Sequence, residues 1–198
     1  MIAILDYGSG NLRSAERAFA LTGHEVVITS DPKRALSADG LVVPGVGAFG
    51  ACMRQLQAIA GDEIIRDRAE SGRAILGICV GMQILFSKGL EKGQHNGVGL
   101  LQGEVSMIQA PILPHIGWNT VEPAAGSELF RGIENDSFYF VHSYGVKKSE
   151  GSLQVTQAEY GEKFIAAVEH KNISATQFHP EKSGDAGIRL IKNWAATL

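Results

Sequence analysis

Cys79 lies in the segment AILGICVGMQILF, residues 74–86, with a glycine two positions away on either side, Gly77 and Gly81. An apolar run ends at the cysteine and a helix-like run follows. This is the cysteine form of the G-x-S-x-G elbow, a sharp strand-to-helix turn that lifts a nucleophile above a sheet and tolerates only small neighbours. The turn holds its central residue in a sparsely populated backbone region at a cost of roughly 1–3 kcal/mol. A helix start at the sulfur favours the thiolate through the helix dipole. A cysteine in an apolar setting otherwise behaves as a small buried hydrophobe. That is the reading for Cys52, the other cysteine, which has no such glycine frame.

A thiolate that attacks an amide needs a group to hand a proton to the departing amine, and near neutral pH that group is histidine. Of His24, His95, His115, His142, His170 and His179, the last is set apart by its context, because it follows the apolar run ISATQF and precedes Pro180 and Glu181. In an extended segment residues two apart share a side, so the Glu181 carboxylate is expected to reach the His179 ring and fix its tautomer. Pro180 keeps His179 out of helix. His179 and Glu181 also suit a metal, but no third ligand stands at a suitable spacing. The chemistry implied is acyl transfer by a triad in the order Cys, His, Glu. Such a reaction develops an oxyanion that needs N–H donors, and the glycine-rich VVPGVGAFG at 42–50 is where backbone N–H groups can turn toward a ligand.

The elements that must carry these groups follow from hydrophobic period. Short β-branched runs at 2–5, 26–29, 41–43 and 74–78 alternate with amphipathic stretches. Leu12, Ala15, Phe19 and Leu21 fall near one helical face, and a second helix is expected around 62–70. Fully apolar strands separated by helices imply a mostly parallel sheet covered on both faces, with ligands at the carboxyl ends of the strands. From about 104 onward, strand-like runs at 137–141, 153–158, 164–168 and 173–178 are expected to add antiparallel strands, and a helix carrying Ile188, Leu190, Ile191 and Trp194 closes the chain. The architecture expected is α/β in three layers. At 198 residues one domain, 1–198, is the default.

A net charge of −3 and a pI near 6.1 lack the basic stripe that a phosphate backbone requires, so no nucleic-acid partner is expected. The first residues, MIAILDYGSG, do not have the form of a signal peptide, and no run is long enough to span a bilayer. Two cysteines suit a reducing cytoplasm.

PGVGAF, GICVGMQ and QFHPE, in this order and spacing, resemble the class I glutamine amidotransferases over essentially the whole chain. DYGSGN at 6–11, PHIGWN at 114–119 and YFVHSYGV at 139–146 narrow the resemblance to the glutaminase subunits of imidazole glycerol phosphate synthases, enzymes of histidine biosynthesis. The resemblance implies that Cys79 attacks the glutamine side-chain amide, His179 shuttles the proton and Glu181 orients it. It also implies an oxyanion hole from the backbone N–H of Val80 with one from Val46 or Gly47, and glutamine contacts from Gln83, His142, Ser143 and Tyr144. Asn11, Trp118, Tyr139 and Lys182 are implied to face a β/α-barrel cyclase in a heterodimer that uses the ammonia, with no cofactor and no metal. Val80 stands where leucine is common and Ile116 where methionine is common. The alternatives are a glutaminase of another pathway, such as pyridoxal phosphate synthesis, a silent scaffold on the same fold, or a free-standing cysteine hydrolase.

Overall fold

Seven strands form the main sheet in the order β11-β12-β13-β4-β3-β1-β2 in the structure, a computed structural model that describes all 198 residues. The chain runs β1 (Ile2–Leu5), α1 (Leu12–Ala20), β2 (Val26–Thr29), α2 (Pro32–Ser37), β3 (Gly40–Gly45), α3 (Phe49–Ala58), α4 (Gly61–Glu70), β4 (Ala74–Cys79) and α5 (Val80–Gln83). It continues through β5 (Phe86–Gly89), β6 (His95–Asn96), β7 (Leu101–Met107), β8 (His115–Thr120), β9 (Ser137–His142), β10 (Tyr144–Ser149), β11 (Gln154–Tyr160), β12 (Glu162–His170) and β13 (Ile173–Thr176) to α6 (Gly184–Ala195).

Strands β2, β1, β3, β4 and β13 are parallel, and β12 and β11 are added antiparallel. The α/β sheet is thus mixed, as the strand pattern implies. From β1 the chain crosses outward to β2, and from β2 it crosses back over β1 to β3 and on to β4. Right-handed crossovers then put α1 on one face and α2, α3 and α4 on the other. The contacts agree, since α6 packs on α1 while α4 touches both α2 and α3. The direction reverses between β1 and β3, which places the ligand crevice of such a sheet beside the ends of β3 and β4. The β1, β3 and β4 side chains are almost all buried in one apolar core.

Several expectations change. Leu21 is exposed, because α1 ends at Ala20 and the chain turns. The helix after Cys79 is only four residues long, and of the apolar ILF run Ile84 and Leu85 form a buried turn while Phe86 already begins a strand. Strands are added from β5 onward, earlier than 104, in a second sheet ordered β10-β7-β5-β6 and a β8-β9 pair. The last parallel strand stops at Thr176, so Gln177 and Phe178 lie in irregular backbone, not strand.

Candidate active site

Residue Cys79 ends β4 and caps α5 with φ 56° and ψ −114°, a positive φ that non-glycine residues seldom adopt. The glycines around it permit this turn. A Cβ on Gly81 would stand 1.8 Å from the Val43 carbonyl oxygen, and one on Gly77 would stand 2.8 Å from the Gly81 oxygen. The elbow is therefore pressed directly onto β3, where Gly45 pairs with Cys79.

On the neighbouring strand end, the His179 N–H donates to the Tyr139 carbonyl (3.0 Å) and the Ser183 hydroxyl donates to the His179 carbonyl (2.7 Å), so its backbone is tied on both sides. Its Nδ1 lies 2.8 Å from Glu181 Oε1, both side chains being 5% exposed. The route to this contact differs from the extended-segment expectation. Pro180–Lys182 is a single 3₁₀ turn, and its curvature, not strand alternation, brings the carboxylate under the ring. No group of three His, Cys, Asp or Glu side chains gathers anywhere that could hold a metal ion.

Burial alone would push the His179 pKa down. Its interaction with Cys79, then the hydrogen bond to Glu181, outweigh burial and raise it to about 9. At neutral pH the ring is therefore charged. The linkage has a definite sign. A folded value of about 9 against an ordinary 6.5 means the stabilisation is full below pH 6.5 and is lost as pH rises toward 9. Urea unfolding of the wild type should show stability falling across this window, with a shallower fall in Glu181→Gln. Identical slopes for the two proteins would contradict it.

Cys79 and His179 line one cavity of about 450 Å³ with Val46, Gly47, Val80, Gln83, His142, Ser143 and Tyr144, within the range of roughly 300–1,000 Å³ usual for small-molecule sites. A larger hollow of about 1280 Å³, lined by Asp39, Arg73, Glu169 and Lys171 among others, contains no cysteine. It touches Ala74 and the β12-β13 turn, at the end of the sheet away from Cys79, so it is not the reaction site.

The oxyanion donors divide. Val80 is the first residue of α5, so its N–H has no partner within the helix. Gly47 has φ +89° with open space around it. The Val46 N–H, however, donates to the Ser9 hydroxyl at 3.0 Å, and Ser9 Oγ donates back to the Val46 carbonyl at 3.0 Å. Cys52 Sγ donates to the same carbonyl (3.2 Å), and the Tyr7 hydroxyl donates to the Pro44 carbonyl. In this arrangement Val46 offers no donor to the cavity. The Ser9 contacts join the loop after β1 to the loop after β3, the Cys52 contact comes from α3, and neither had a sequence signal beyond DYGSGN.

Asn11 is exposed and caps α1 by accepting the Ser14 N–H at 3.3 Å. Lys182 is exposed and lines the cavity. Trp118 is 59% exposed and its ring meets Tyr139 edge-on at 6.0 Å. Ile116 and Val46 are also exposed, and of this set Val46 and Lys182 line the cavity. Sequence reasoning passed over Glu91, which lines the cavity and accepts the Phe49 N–H at the start of α3 (2.9 Å), and Gln177, which reaches Cys79.

The model of the "Glutamine amidotransferase class-I" family matches residues 3–197. "Imidazole glycerol phosphate synthase subunit HisH" of Thermobifida fusca (strain YX) is 55% identical over 207 residues, covering 100% of this chain and 98% of that protein. The protein of the same description from Nocardia farcinica (strain IFM 10152) is 54% identical over 206 residues, with the same shares covered. Among solved structures, one described as a glutamine amidotransferase superposes with a TM-score of 0.78 at 18% identity, over 98% of each chain. PurLQS from Thermotoga maritima gives 0.72 at 20% identity, over 99% of this chain and 97% of that one. At those identities the two structures speak to the fold.

Proposed function

Because the chain belongs to the class I glutamine amidotransferase family, we propose that it is the glutaminase subunit of an imidazole glycerol phosphate synthase and that Cys79, His179 and Glu181 carry out the hydrolysis. The observation that carries this reading is the His179 ring fastened to Glu181 and raised to an imidazolium beside a cysteine on a strained elbow.

The Cys79 sulfur attacks the glutamine Cδ, and the carbonyl oxygen takes the negative charge. His179 gives its proton to the amide nitrogen, ammonia leaves, and a thioester remains. The now neutral ring takes a proton from water as the hydroxide adds to the thioester carbonyl. Collapse releases glutamate and restores the thiolate beside the imidazolium. Glu181 holds the ring through Nδ1 during both transfers, leaving Nε2 for the sulfur side. Gln83, His142, Ser143 and Tyr144 line the cavity that takes glutamine.

All 198 residues act as one glutaminase domain in the cytoplasm, paired with a β/α-barrel cyclase that receives the ammonia. Bulk water would protonate ammonia and remove the lone pair needed for attack, so an enclosed passage between the subunits is required. Exposed Trp118, Ile116 and Val46 beside Asn11, Tyr139 and Lys182 offer an apolar patch for that docking. Neither cofactor nor nucleic acid takes part.

Wasteful hydrolysis is held back at residues 44–47, where the Val46 peptide must leave Ser9 before its N–H can serve an oxyanion. One preorganised donor is worth about 10²- to 10³-fold in rate. Glutamate release by the chain mixed with the cyclase and its nucleotide should exceed that of the chain alone by about 10²-fold. Equal rates would end the gating idea, and no release under either condition would end the glutaminase reading.

A further inference from the structure

The cavity wall behind Cys79 contains a line of buried side chains whose hydrogen-bond directions are all fixed by one carbonyl. The Tyr144 oxygen can only accept. It lies 2.8 Å from Gln83 Nε2 and 3.0 Å from His142 Nδ1, so both nitrogens donate to it. Gln83 Nε2 has a second hydrogen, which goes to Gln177 Oε1 at 2.9 Å. With its oxygen committed as acceptor, Gln177 must turn its amide nitrogen the other way, and Nε2 lies 3.8 Å from Cys79 Sγ.

The opposite end of the line is equally determined. His142 is pushed down to about 4 by burial, so its ring is neutral, and with Nδ1 donating, Nε2 must accept. The group 3.0 Å from Nε2 is His115 Nδ1, which therefore carries a hydrogen. The His115 ring is stacked against Tyr160 (4.0 Å) and Phe140 (4.9 Å) and cannot easily turn. Gln177 is 0% exposed, Gln83 and His115 are 3% and His142 is 7%. Buried amides in such a chain are held in one orientation, because reversal would set like atoms against one another at several points.

We propose that Gln177 is a second hydrogen-bond donor to the reacting sulfur, acting alongside His179, and that the line from His115 to Gln83 serves to aim its N–H. The proposal rests on Cys79 being the nucleophile. His179 supplies a mobile proton, whereas Gln177 supplies a neutral N–H that never leaves and favours the thiolate throughout the cycle.

The test is alkylation of Cys79 by iodoacetamide in the full chain, read by mass spectrometry of the Cys79 peptide so that Cys52 does not contribute. It needs neither glutamine nor a partner subunit. Gln177→Met keeps the length of the side chain and removes the donor. Gln177→Glu, when ionised, keeps the acceptor for Gln83, removes the donor and sets a negative charge near the sulfur, which acts in the same direction on the thiolate. A lost donor to a charged acceptor lowers the thiolate fraction at acid pH, while the sulfur that does ionise is more nucleophilic. At pH 6 both variants should therefore react about fivefold more slowly than wild type. At pH 9.5 they should react as fast or faster. A purely structural role would shift both rates in one direction. An unchanged ratio of the pH 6 to pH 9.5 rates in Gln177→Met and Gln177→Glu would overturn the proposal. If that ratio falls as expected while wild-type chain with cyclase and nucleotide releases no glutamate, the glutaminase reading fails and the assignment of Gln177 stands.

Discussion

Cys79→Ser should abolish glutamine hydrolysis, lowering turnover in the complex by about 10⁴-fold or more, while the same complex supplied with ammonium salt keeps forming imidazole glycerol phosphate at the wild-type rate. The substitution changes one atom. It leaves the elbow intact, since serine meets the same positive φ and the same glycine contacts at residues 77 and 81. What it removes is a nucleophile that ionises readily. The cysteine faces a ring whose pKa is raised to about 9. A serine hydroxyl gives up its proton far less readily than a thiol, so the same ring is offered a much weaker nucleophile. The ammonia arm separates loss of the nucleophile from loss of assembly, because a misfolded or undocked variant would also lose the ammonia-dependent reaction. Turnover within tenfold of wild type would remove Cys79 from the mechanism.

The sequence revealed the parts of this site whose chemistry is local. Gly77, Cys79 and Gly81 announce an elbow because a Cβ at either glycine meets backbone within 3 Å, a constraint imposed by neighbours in the chain and by β3. His179 and Glu181 are two residues apart, so their meeting required only a short turn, although its kind was misread. The parallel strands were legible because they are buried on both faces and read as continuous apolar runs. The second sheet was not, because β6 is only two residues long and β5 and β10 mix apolar residues with glycine, serine and lysine in no regular alternation. Contacts between distant residues were also out of reach. Ser9 to Val46 spans 37 positions and Gln177 to Cys79 spans 98, and no period or motif encodes such a pairing.

The clearest instance is Arg68, where the largest loss of stability is expected. In GDEIIRDRAE an arginine near a helix end looks like a solvated charge, and its neighbour Arg66 fits that description, pairing with Asp62 at 2.9 Å and 41% exposed. Arg68, four residues after Ile64, instead lies on the buried face of α4 and is 0% exposed. Its Nη1 donates to the carbonyls of Ala35 (2.9 Å), Leu36 (3.3 Å) and Ala38 (2.8 Å), and Nη2 to those of Asp39 (3.1 Å) and Ala74 (2.9 Å). Burial, then the charge of Arg73, lower its pKa to about 10, so it remains charged at neutral pH. One guanidinium thus ties the end of α2, the entry to β3 and the start of β4 to α4, and β3 and β4 are the strands that end in the active site. Arg68→Met fills much of the space but removes the side-chain donor from the Ala35, Asp39 and Ala74 carbonyls, while Arg73 Nη1 still reaches those of Leu36 (3.2 Å) and Ala38 (3.3 Å); each group left unsatisfied costs about 1–3 kcal/mol before relaxation. A net loss of about 3–5 kcal/mol is expected, a large share of the roughly 5–15 kcal/mol that holds a domain folded. Arg68→Lys should recover only part, because an ammonium has three donors and no planar fork. Arg66→Met, removing an exposed i,i+4 pair, should cost less than about 0.5 kcal/mol. Urea denaturation of the three variants should rank them in that order, and an Arg68→Met protein as stable as Arg66→Met would show that the carbonyls find other partners.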